Sequence, residues 1–412
     1  MNRTSLKFGV SVLFLSQLIA IVSGYLVNIF LSRVLGPEDY GKYSIVFSFI
    51  SIVNIVLSSS IPQAISKFIS EKEADKEKIK SDGVYLQSWL IFLTFIIVFV
   101  FSRSISLIIG DENLSNLIRI SSITIPLYGF YIFSERVLNG LRMFDKQSVI
   151  NSIFAISKLL LAIFLLKIEN NLNFAILAAT ISPFIPMVMG LFFTKPKIIS
   201  FKKNVQLKKY LNFSLPFFTF SILTNISLNS GFFFLNHFSA EKDLVGYYSA
   251  AFRITQIIGY LPTTISVAIF PAISNSFSSS NLFLTKKYIK KSFLLILASI
   301  IPIIIFFYLF REALIKILFG AEYINAMQVL TPLSVGVGLF FAYNHLLTII
   351  SSIKRQLLSM KISIITFFIS ILSNLILIPK YQMIGTAYSV IIFSSLGIVI
   401  GLIFMYNQKA NK

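Results

Sequence analysis

The chain has 412 residues, of which 56% are hydrophobic and 13% charged, and its formal net charge is +20. A water-soluble protein of this composition would expose extensive apolar surface and aggregate, so the composition excludes a soluble globular protein. Cysteine is absent from the sequence, which excludes disulfide bonds, thiol chemistry and cysteine–metal sites.

Apolar runs recur along the whole chain, and about 20 helical residues are enough to cross the hydrocarbon core of a membrane. The first run follows Arg3 and Lys7 and is too long for a signal peptide, so it predicts a retained first helix. The sequence therefore predicts an all-α polytopic membrane protein with about twelve transmembrane helices. The predicted spans are 8–31, 43–66, 84–109, 116–138, 147–167, 172–194, 211–236, 247–270, 292–310, 326–351, 361–379 and 384–406.

A polar passage, "LSRVLGPEDYGKYS" (Leu31 to Ser44), separates the first two spans. Gly36 and Pro37 are expected to end the first helix, since glycine caps helices and proline cannot continue one. Gly41 permits a tight reversal before the second helix. A similar passage, "FSAEKDLVGYYS", runs from Phe238 to Ser249, between the seventh and eighth spans.

These two passages belong to an internal repeat. "ISLIIGDE" (105–112) matches "IKILFGAE" (315–322) at an offset of 210 residues, and Gln147 matches Gln356 at 209. At an offset of 205, the residue pairs are Gly41 with Gly246, Tyr43 with Tyr248 and Ser44 with Ser249. Such a repeat predicts two tandem six-helix bundles of parallel topology, residues 1–200 and 201–412, around a central cavity.

The distribution of lysine and arginine predicts the orientation in the membrane. With the twelve spans above, 25 of the 36 Lys and Arg residues fall on the side of the termini. Eight fall on the opposite side: Arg33, Lys42, Arg103, Lys167, Lys242, Arg311, Lys316 and Lys380. Because basic loops remain in the cytoplasm, both termini of this multi-pass protein are expected to be cytoplasmic. The short basic blocks form no stripe that would suit nucleic acid.

Polar residues within the spans indicate either helix packing or a cavity, because hydrocarbon cannot satisfy them. Arg253 and Gln256 lie on a polar stripe of the eighth span, and Lys158 lies near the middle of the fifth. Arg119, at the outer end of the fourth span, could instead extend to the interface. For His345 the sequence favours a structural hydrogen bond over proton transfer. The candidate substrate-binding residues are Arg253, Gln256, Lys158, Arg119, Arg33, Asn225, Asn229 and Asn28.

The sixteen acidic residues all fall in predicted loops or at the ends of spans. A cavity that contains buried bases and no buried acid would attract anions and repel cations. The charges alone therefore favour an anionic substrate.

Several motifs resemble one transporter family. "LSRVLGPEDYGKYS", the later "SSSIPQAISKFISE", "GYYSAAFRI" and "MIGTAYSVI" are similar to segments of bacterial polysaccharide biosynthesis proteins. These are the lipid-linked oligosaccharide (O-antigen type) flippases of the multidrug/oligosaccharidyl-lipid/polysaccharide (MOP) exporter superfamily. Members often carry an acid in the seventh helix, where this chain has "LNSGFFFLNHF", so an ion-coupling role for that acid does not transfer.

The resemblance implies a flippase that moves a polyprenyl-pyrophosphate-linked oligosaccharide across the bacterial inner membrane by alternating access. It implies membrane lipids as partners and a polysaccharide polymerase and other export components as candidate partners. No cofactor is expected, and a coupling ion, if one is used, stays unidentified. The alternatives are a multidrug or peptidoglycan-precursor exporter of the same superfamily and a membrane glycosyltransferase or polymerase. The last is disfavoured because the predicted outward loops are short and no GxSxG, HExxH, P-loop or DxD motif occurs.

Overall fold

The computed structural model describes residues 6–71, 75–196, 207–353 and 355–407. In these residues the chain forms fifteen α-helices and no strand. The helices are α1 (Leu6–Ser59), α2 (Ile61–Ile69), α3 (Lys76–Val100), α4 (Ser102–Ile109), α5 (Leu114–Ser121), α6 (Thr124–Gly140), α7 (Phe144–Ile168), α8 (Leu172–Ile181), α9 (Phe184–Thr194), α10 (Leu207–Phe238), α11 (Asp243–Thr255), α12 (Tyr260–Ser278), α13 (Leu282–Leu318), α14 (Met327–Ser352) and α15 (Gln356–Asn407). Two 3₁₀ turns, Gln256–Gly259 and Ala321–Ala326, precede α12 and α14.

Ten continuous helical stretches of the described residues are long and apolar enough to cross a membrane. Two of them are divided by a break, because Gly36 in α1 and Gln382 in α15 have non-helical backbone angles. Phe310 in α13 also has such angles, but it lies too near the end of that helix to divide it into two spans. Counting each side of the two breaks separately gives twelve spanning segments. The predicted all-α architecture with about twelve membrane helices is confirmed.

Both breaks follow from local sequence. Gly36 has φ 73°, in the left-handed region that glycine adopts without steric cost, and Pro37 then starts the next helical segment. In α15, Pro379 precedes Gln382, where φ is 48°. Gly385 follows this reversal, and a Cβ placed on it would lie 2.4 Å from the carbonyl oxygen of Leu377. The two segments of α15 therefore approach closely because position 385 has no side chain.

One predicted span is too long. The third was expected over 84–109, but α3 ends at Val100 and α4 is a separate short helix. Its end is capped by Gly110, whose φ is 90°; the repeat-related Gly320, after α13, has φ 104°. Because both glycines have positive φ, they end α4 and α13 at equivalent positions of the repeat.

Residue contacts divide the chain into two compact units. The first unit comprises Met1–Leu35 and Ile45–Phe218, and the second comprises Gly36–Ser44 and Thr219–Lys412. The short segment Gly36–Ser44, called the outward turn below after its predicted side of the membrane, therefore packs with the helices of the later part of the chain. The first residues of α10, up to Phe218, pack with the earlier part.

In the first unit, α2 packs between α3 and α6. Its buried residues Ile61, Ile65 and Phe68 form a core with Val84 and Phe133. Tyr210, near the start of α10, joins this core and meets Phe68 edge-on, with ring centroids 5.5 Å apart. Burial and the neighbouring Asp82 carboxylate raise the pKa of Tyr210 to about 12, so its phenol stays protonated at neutral pH.

In the second unit, the outward turn packs against α11 through two glycines. A Cβ placed on Gly41 would lie 2.9 Å from the backbone nitrogen of Gly246, and one on Gly246 would lie 2.0 Å from the carbonyl oxygen of Pro37. Gly41 and Gly246 are equivalent positions of the repeat. Tyr40 is fully buried beside them, with ring centroids 6.3 Å from Phe319 and 6.1 Å from Tyr323.

Large apolar side chains cover much of the protein surface. Phe164, Phe192, Val267 and Ile317 are all more than 60% exposed, and they lie on spanning helices. In water such a surface would drive aggregation, whereas lipid chains solvate it. The exposed apolar surface therefore marks where the helices meet the bilayer.

Candidate substrate-binding site

The predicted site residues divide between the two units. Arg253, Gln256, Asn225 and Asn229 lie in the second unit. The first unit contains Asn28, Arg33, Arg119 and Lys158.

Arg253 is half-buried in the last turns of α11 and is surrounded by tyrosine hydroxyls. The Tyr40 side chain of the outward turn is hydrogen-bonded to it, and Tyr43 and Tyr260 are close enough to interact with its charge. Tyr40 and Tyr43 stack on each other with ring centroids 6.3 Å apart. Sequence reasoning missed both tyrosines as neighbours of Arg253. The hydrogen bond with Tyr40 links the guanidinium to the outward turn.

Gln256 begins the 3₁₀ turn that separates α11 from α12. Pro262 explains this turn, because its ring has no N–H to continue the helical hydrogen bonding of the preceding residues. The Nε2 atom of Gln256 is buried and has no hydrogen-bond partner among the described residues. A buried donor without a partner is unusual and suits an oxygen-rich ligand. Short 3₁₀ stretches inside helices often mark hinges.

The two asparagines of α10 are satisfied by their own helix. Nδ2 of Asn225 donates to the carbonyl oxygen of Ser221 and Nδ2 of Asn229 donates to that of Asn225, both at 2.9 Å. These bonds hold the amides along the helix surface. Neighbouring Ser230 accepts a hydrogen bond from Nδ2 of Asn374 in α15 at 2.7 Å, so this part of α10 packs through polar contacts.

In the first unit, Lys158 lies near the middle of α7. Its Nζ lies 5.6 Å from the ring centroid of Phe47, which belongs to the second segment of α1. Two helical turns before Lys158, Asn151 accepts a hydrogen bond from the Tyr131 hydroxyl at 2.9 Å. Lys158 is thus a half-buried cation that lies against an aromatic ring, deep in a spanning helix.

The other three candidates lie elsewhere in this unit. Arg119 is exposed at the end of α5, and its guanidinium carbon lies 5.6 Å from the ring centroid of Phe99. Arg33 is exposed near the end of the first segment of α1. Asn28 donates to the carbonyl oxygen of Gly24 at 2.7 Å. These contacts bring none of the three to Lys158.

Two acids are buried, Asp111 after α4 and Glu135 in α6, contrary to the sequence-based expectation that no acid would be. Glu135, in the last turns of α6, is 7% exposed because α2 and α7 cover this end of the helix. Its carboxylate accepts a hydrogen bond from Gln147 of α7 and lies 3.2 Å from Nε of Arg136. Asn139 donates to Oε1 of Gln147 at 3.2 Å. The buried negative charge is thus accompanied by a positive one and by amide donors.

His345 of α14 is fully buried and joins three helices. Its Nδ1 lies 2.8 Å from Oγ of Ser266 in α12, and its Nε2 lies 2.9 Å from Oγ of Ser292 in α13. A neutral imidazole has one N–H donor and one acceptor nitrogen, so one serine donates to the ring and the other accepts from it. Both ring nitrogens are therefore engaged in holding helices together.

His345→Ala is expected to lower the melting temperature of the detergent-purified protein by several degrees. The substitution removes two interhelical hydrogen bonds, at about 0.6 kcal/mol each, and leaves a cavity. Thr348→Ala on the same helix is the control, because in the described residues the Thr348 hydroxyl donates to the carbonyl oxygen of Asn344, one turn back on its own helix. If His345→Phe melted normally and yet lost all transport, the imidazole would have a functional role instead of this structural one.

In the described part of the chain, no group of three or more His, Asp or Glu side chains could hold a metal ion.

The sequence matches the family of polysaccharide biosynthesis proteins over residues 6–277, which is most of the chain. The chain belongs to this family. The MatE family also matches, over residues 216–376. The family resemblance inferred from the four motifs is confirmed.

Curated relatives cover nearly the whole chain at low identity. A capsular polysaccharide biosynthesis protein, CapF, from Staphylococcus aureus is 24% identical over 92% of this chain and 94% of its own length. A putative O-antigen transporter from Shigella flexneri is 24% identical, over 87% of this chain and 88% of its own length.

Solved structures share the fold of this polysaccharide biosynthesis protein. An inward-facing multidrug resistance MATE transporter of the MOP superfamily superposes with a TM-score of 0.81 at 14% identity, covering 95% of this chain and 96% of its own. The lipid II flippase MurJ, in an inward closed conformation, gives a TM-score of 0.79 at 16% identity over 96% and 87%. The chain therefore has the fold that these two proteins share.

Proposed function

We propose that the protein is a flippase that moves an anionic polyprenyl-pyrophosphate-linked oligosaccharide across the bacterial inner membrane for surface polysaccharide biosynthesis. Two relatives, a capsular polysaccharide biosynthesis protein and a putative O-antigen transporter, support a polysaccharide precursor as cargo. The same relatives favour a polysaccharide polymerase and other export components as partners.

One observation carries the anionic character of the cargo. Each unit has a basic side chain inside a spanning helix, Lys158 in α7 and Arg253 in α11. A charge within the bilayer is unfavourable unless it faces protein, water or a ligand, so such residues usually mark a transport pathway. A guanidinium matches the geometry of phosphate oxygens, and the buried Nε2 of Gln256 adds a donor three residues further along.

The buried Glu135 does not weaken this argument. Its carboxylate is 3.2 Å from Arg136 on the same helix, so the pair adds little net charge to the unit. Arg136 and Glu135 lie near the end of α6, whereas Lys158 lies near the middle of α7. The two features are therefore separate.

A direct test uses the purified protein in proteoliposomes. A fluorescent polyprenyl-diphosphate-linked saccharide is expected to change leaflets faster than in protein-free vesicles, and a cationic drug at equal concentration should not slow it. A multidrug exporter would show the reverse, with drug movement and no movement of the lipid-linked sugar. Extension of the sugar chain by the purified protein alone would contradict transport as the activity.

The orientation is a second part of the proposal and can be measured on single-cysteine variants, since the natural chain has no cysteine. Ser279→Cys, at the exposed end of α12, is expected to be protected from an impermeant maleimide in intact cells. Asp39→Cys in the outward turn is expected to be labelled. Labelling of Ser279→Cys without labelling of Asp39→Cys would reverse the topology.

A further inference from the structure

The first turns of α13 carry four exposed lysines on one side. One row along the helix contains Lys286 and Lys290, and an adjacent row contains Lys287 and Lys291. The two lysines of each row are four residues, or about one helical turn, apart. We call these four residues the lysine face.

The opposite side of the same turns is packed against the second unit. Thr285, Ser292 and Ile296 are buried there. The hydroxyl of Thr285 lies 2.9 Å from Oγ of Ser276 in α12, and Ser292 contacts His345 of α14. Because this side is fixed to two neighbouring helices, the lysine face has one orientation and points away from the packed interior.

The charge of the lysine face is not neutralised by the described part of the protein. The ion pairs among the described residues involve other basic residues, namely Lys42, Lys67, Lys80, Arg103, Arg136 and Lys316. The first turn of α13 contains no acid either. Cations near a helix N-terminus are disfavoured by the helix dipole, so local helix energetics does not explain four lysines here.

The lysine face continues directly into the lipid-facing surface of α13. Leu294, Leu295 and Ile301 follow on the helix and are 57%, 48% and 50% exposed. On the other side, Phe283 precedes the lysines and is 79% exposed. Since exposed apolar residues on a spanning helix meet acyl chains, the lysines begin where the acyl-chain surface ends. That is the level of the lipid phosphates.

We propose that the lysine face binds the phosphate groups of anionic phospholipids at the membrane surface it meets. Each ammonium group can donate three hydrogen bonds to phosphate oxygens, and two rows of lysines can hold one or two headgroups. Basic clusters beside a spanning helix attract anionic lipid headgroups electrostatically. An excess of lysine on one side of the membrane follows from topology alone, but topology does not require four lysines on one face of a rigid helix. The proposal does not depend on the nature of the cargo.

The test uses the full-length protein in detergent, with phosphatidylglycerol or phosphatidylcholine added, and counts bound lipids by native mass spectrometry. The variant replaces all four lysines of the lysine face by glutamine. Its apparent Kd for phosphatidylglycerol is expected to rise about tenfold or more, with no change for phosphatidylcholine. Raising the salt concentration should weaken the binding of phosphatidylglycerol to the natural protein and leave the variant little changed.

A matched variant carries the same change of charge at exposed lysines outside the lysine face, Lys76, Lys78, Lys208 and Lys361, all to glutamine. It is expected to bind phosphatidylglycerol within about twofold of the natural protein. Replacing the lysine face by four arginines should preserve binding. If the four-glutamine variant fails to insert, the paired variants Lys286→Gln with Lys290→Gln and Lys287→Gln with Lys291→Gln provide the measurement.

Three outcomes would overturn the proposal. Equal loss of binding in the matched variant would show that total charge alone sets lipid affinity. Unchanged binding of phosphatidylglycerol by the four-glutamine variant would show that the lysine face is solvated by water and does not bind the lipid. If a polyprenyl diphosphate or an acidic peptide bound to the lysine face and phosphatidylglycerol did not displace it, the lysine face would belong to another occupant.

Discussion

Gly246→Ala is expected to reduce transport about tenfold or more and to lower the melting temperature of the purified protein. The new Cβ would lie 2.0 Å from the carbonyl oxygen of Pro37 and 2.9 Å from its Cα, and both are backbone atoms that cannot rotate aside. Overpacking of this kind costs about 1–3 kcal/mol. A penalty of about 1.4 kcal/mol lowers the equilibrium constant for docking of the outward turn about tenfold.

The control for Gly246→Ala is Gly24→Ala, in the first segment of α1. A Cβ on Gly24 meets nothing within 4 Å, so alanine there should keep transport and can stabilise the helix by up to about 1 kcal/mol. Transport by reconstituted protein and thermal melting are measured for both variants. Normal melting and normal transport of Gly246→Ala would mean that the outward turn does not pack on α11 in the membrane.

Arg253→Gln is expected to have the second large effect, a loss of transport of about tenfold to a hundredfold with the protein still inserted. A hydrogen bond to a charged group contributes about 1.5–3 kcal/mol. Glutamine carries no charge, so it cannot form the charge-assisted bonds that arginine forms with a phosphate. Arg253→Lys keeps the positive charge but lacks the planar guanidinium group, so it should retain part of the activity. Lys158→Gln should weaken transport as well, to a smaller extent.

Two further variants separate ligand binding from packing. Arg103→Gln is the matched control, because Arg103 is exposed and pairs with Glu112; its transport should be close to normal. Tyr40→Phe removes the hydroxyl that is hydrogen-bonded to Arg253 but leaves the guanidinium in place. If Tyr40→Phe lost as much transport as Arg253→Gln, the arginine would serve to hold the outward turn. Normal transport by Arg253→Gln at normal abundance would remove it from the site.

The fold was largely predictable because its determinants are local. Each spanning segment needs an apolar run of about twenty residues, and such runs are visible without knowledge of their neighbours. Gly36 and Pro37 mark the first break just as clearly. The shorter third helix was not predicted, because α3 and α4 form one apolar run and only the turn at Phe101 separates them. The 3₁₀ turn before Pro262 could have been expected from the proline itself.

The surroundings of the candidate site were less predictable because they depend on tertiary contacts. Arg253 was found from a polar stripe on a single helix, but its neighbour Tyr40 comes from a distant part of the chain. The only hint was the repeat, which pairs Gly41 with Gly246 and so relates the outward turn to the start of α11. The burial of Glu135 was missed for a similar reason. An acid next to Arg136 at the end of an apolar run is typical of a loop. Its burial follows from the packing of α2 and α7 against α6, which is a tertiary contact.

The placement of Gly36–Ser44 in the second unit has a consequence for protein engineering. A chimera of two relatives is naturally joined between α9 and α10, where the two sequence repeats meet. Such a crossover would set the outward turn of one parent against α11 of the other, where Pro37, Gly41 and Gly246 leave no room for a different side chain. Recombinants that exchange residues 36–44 together with the later half should therefore fold more often than those joined at the repeat boundary alone.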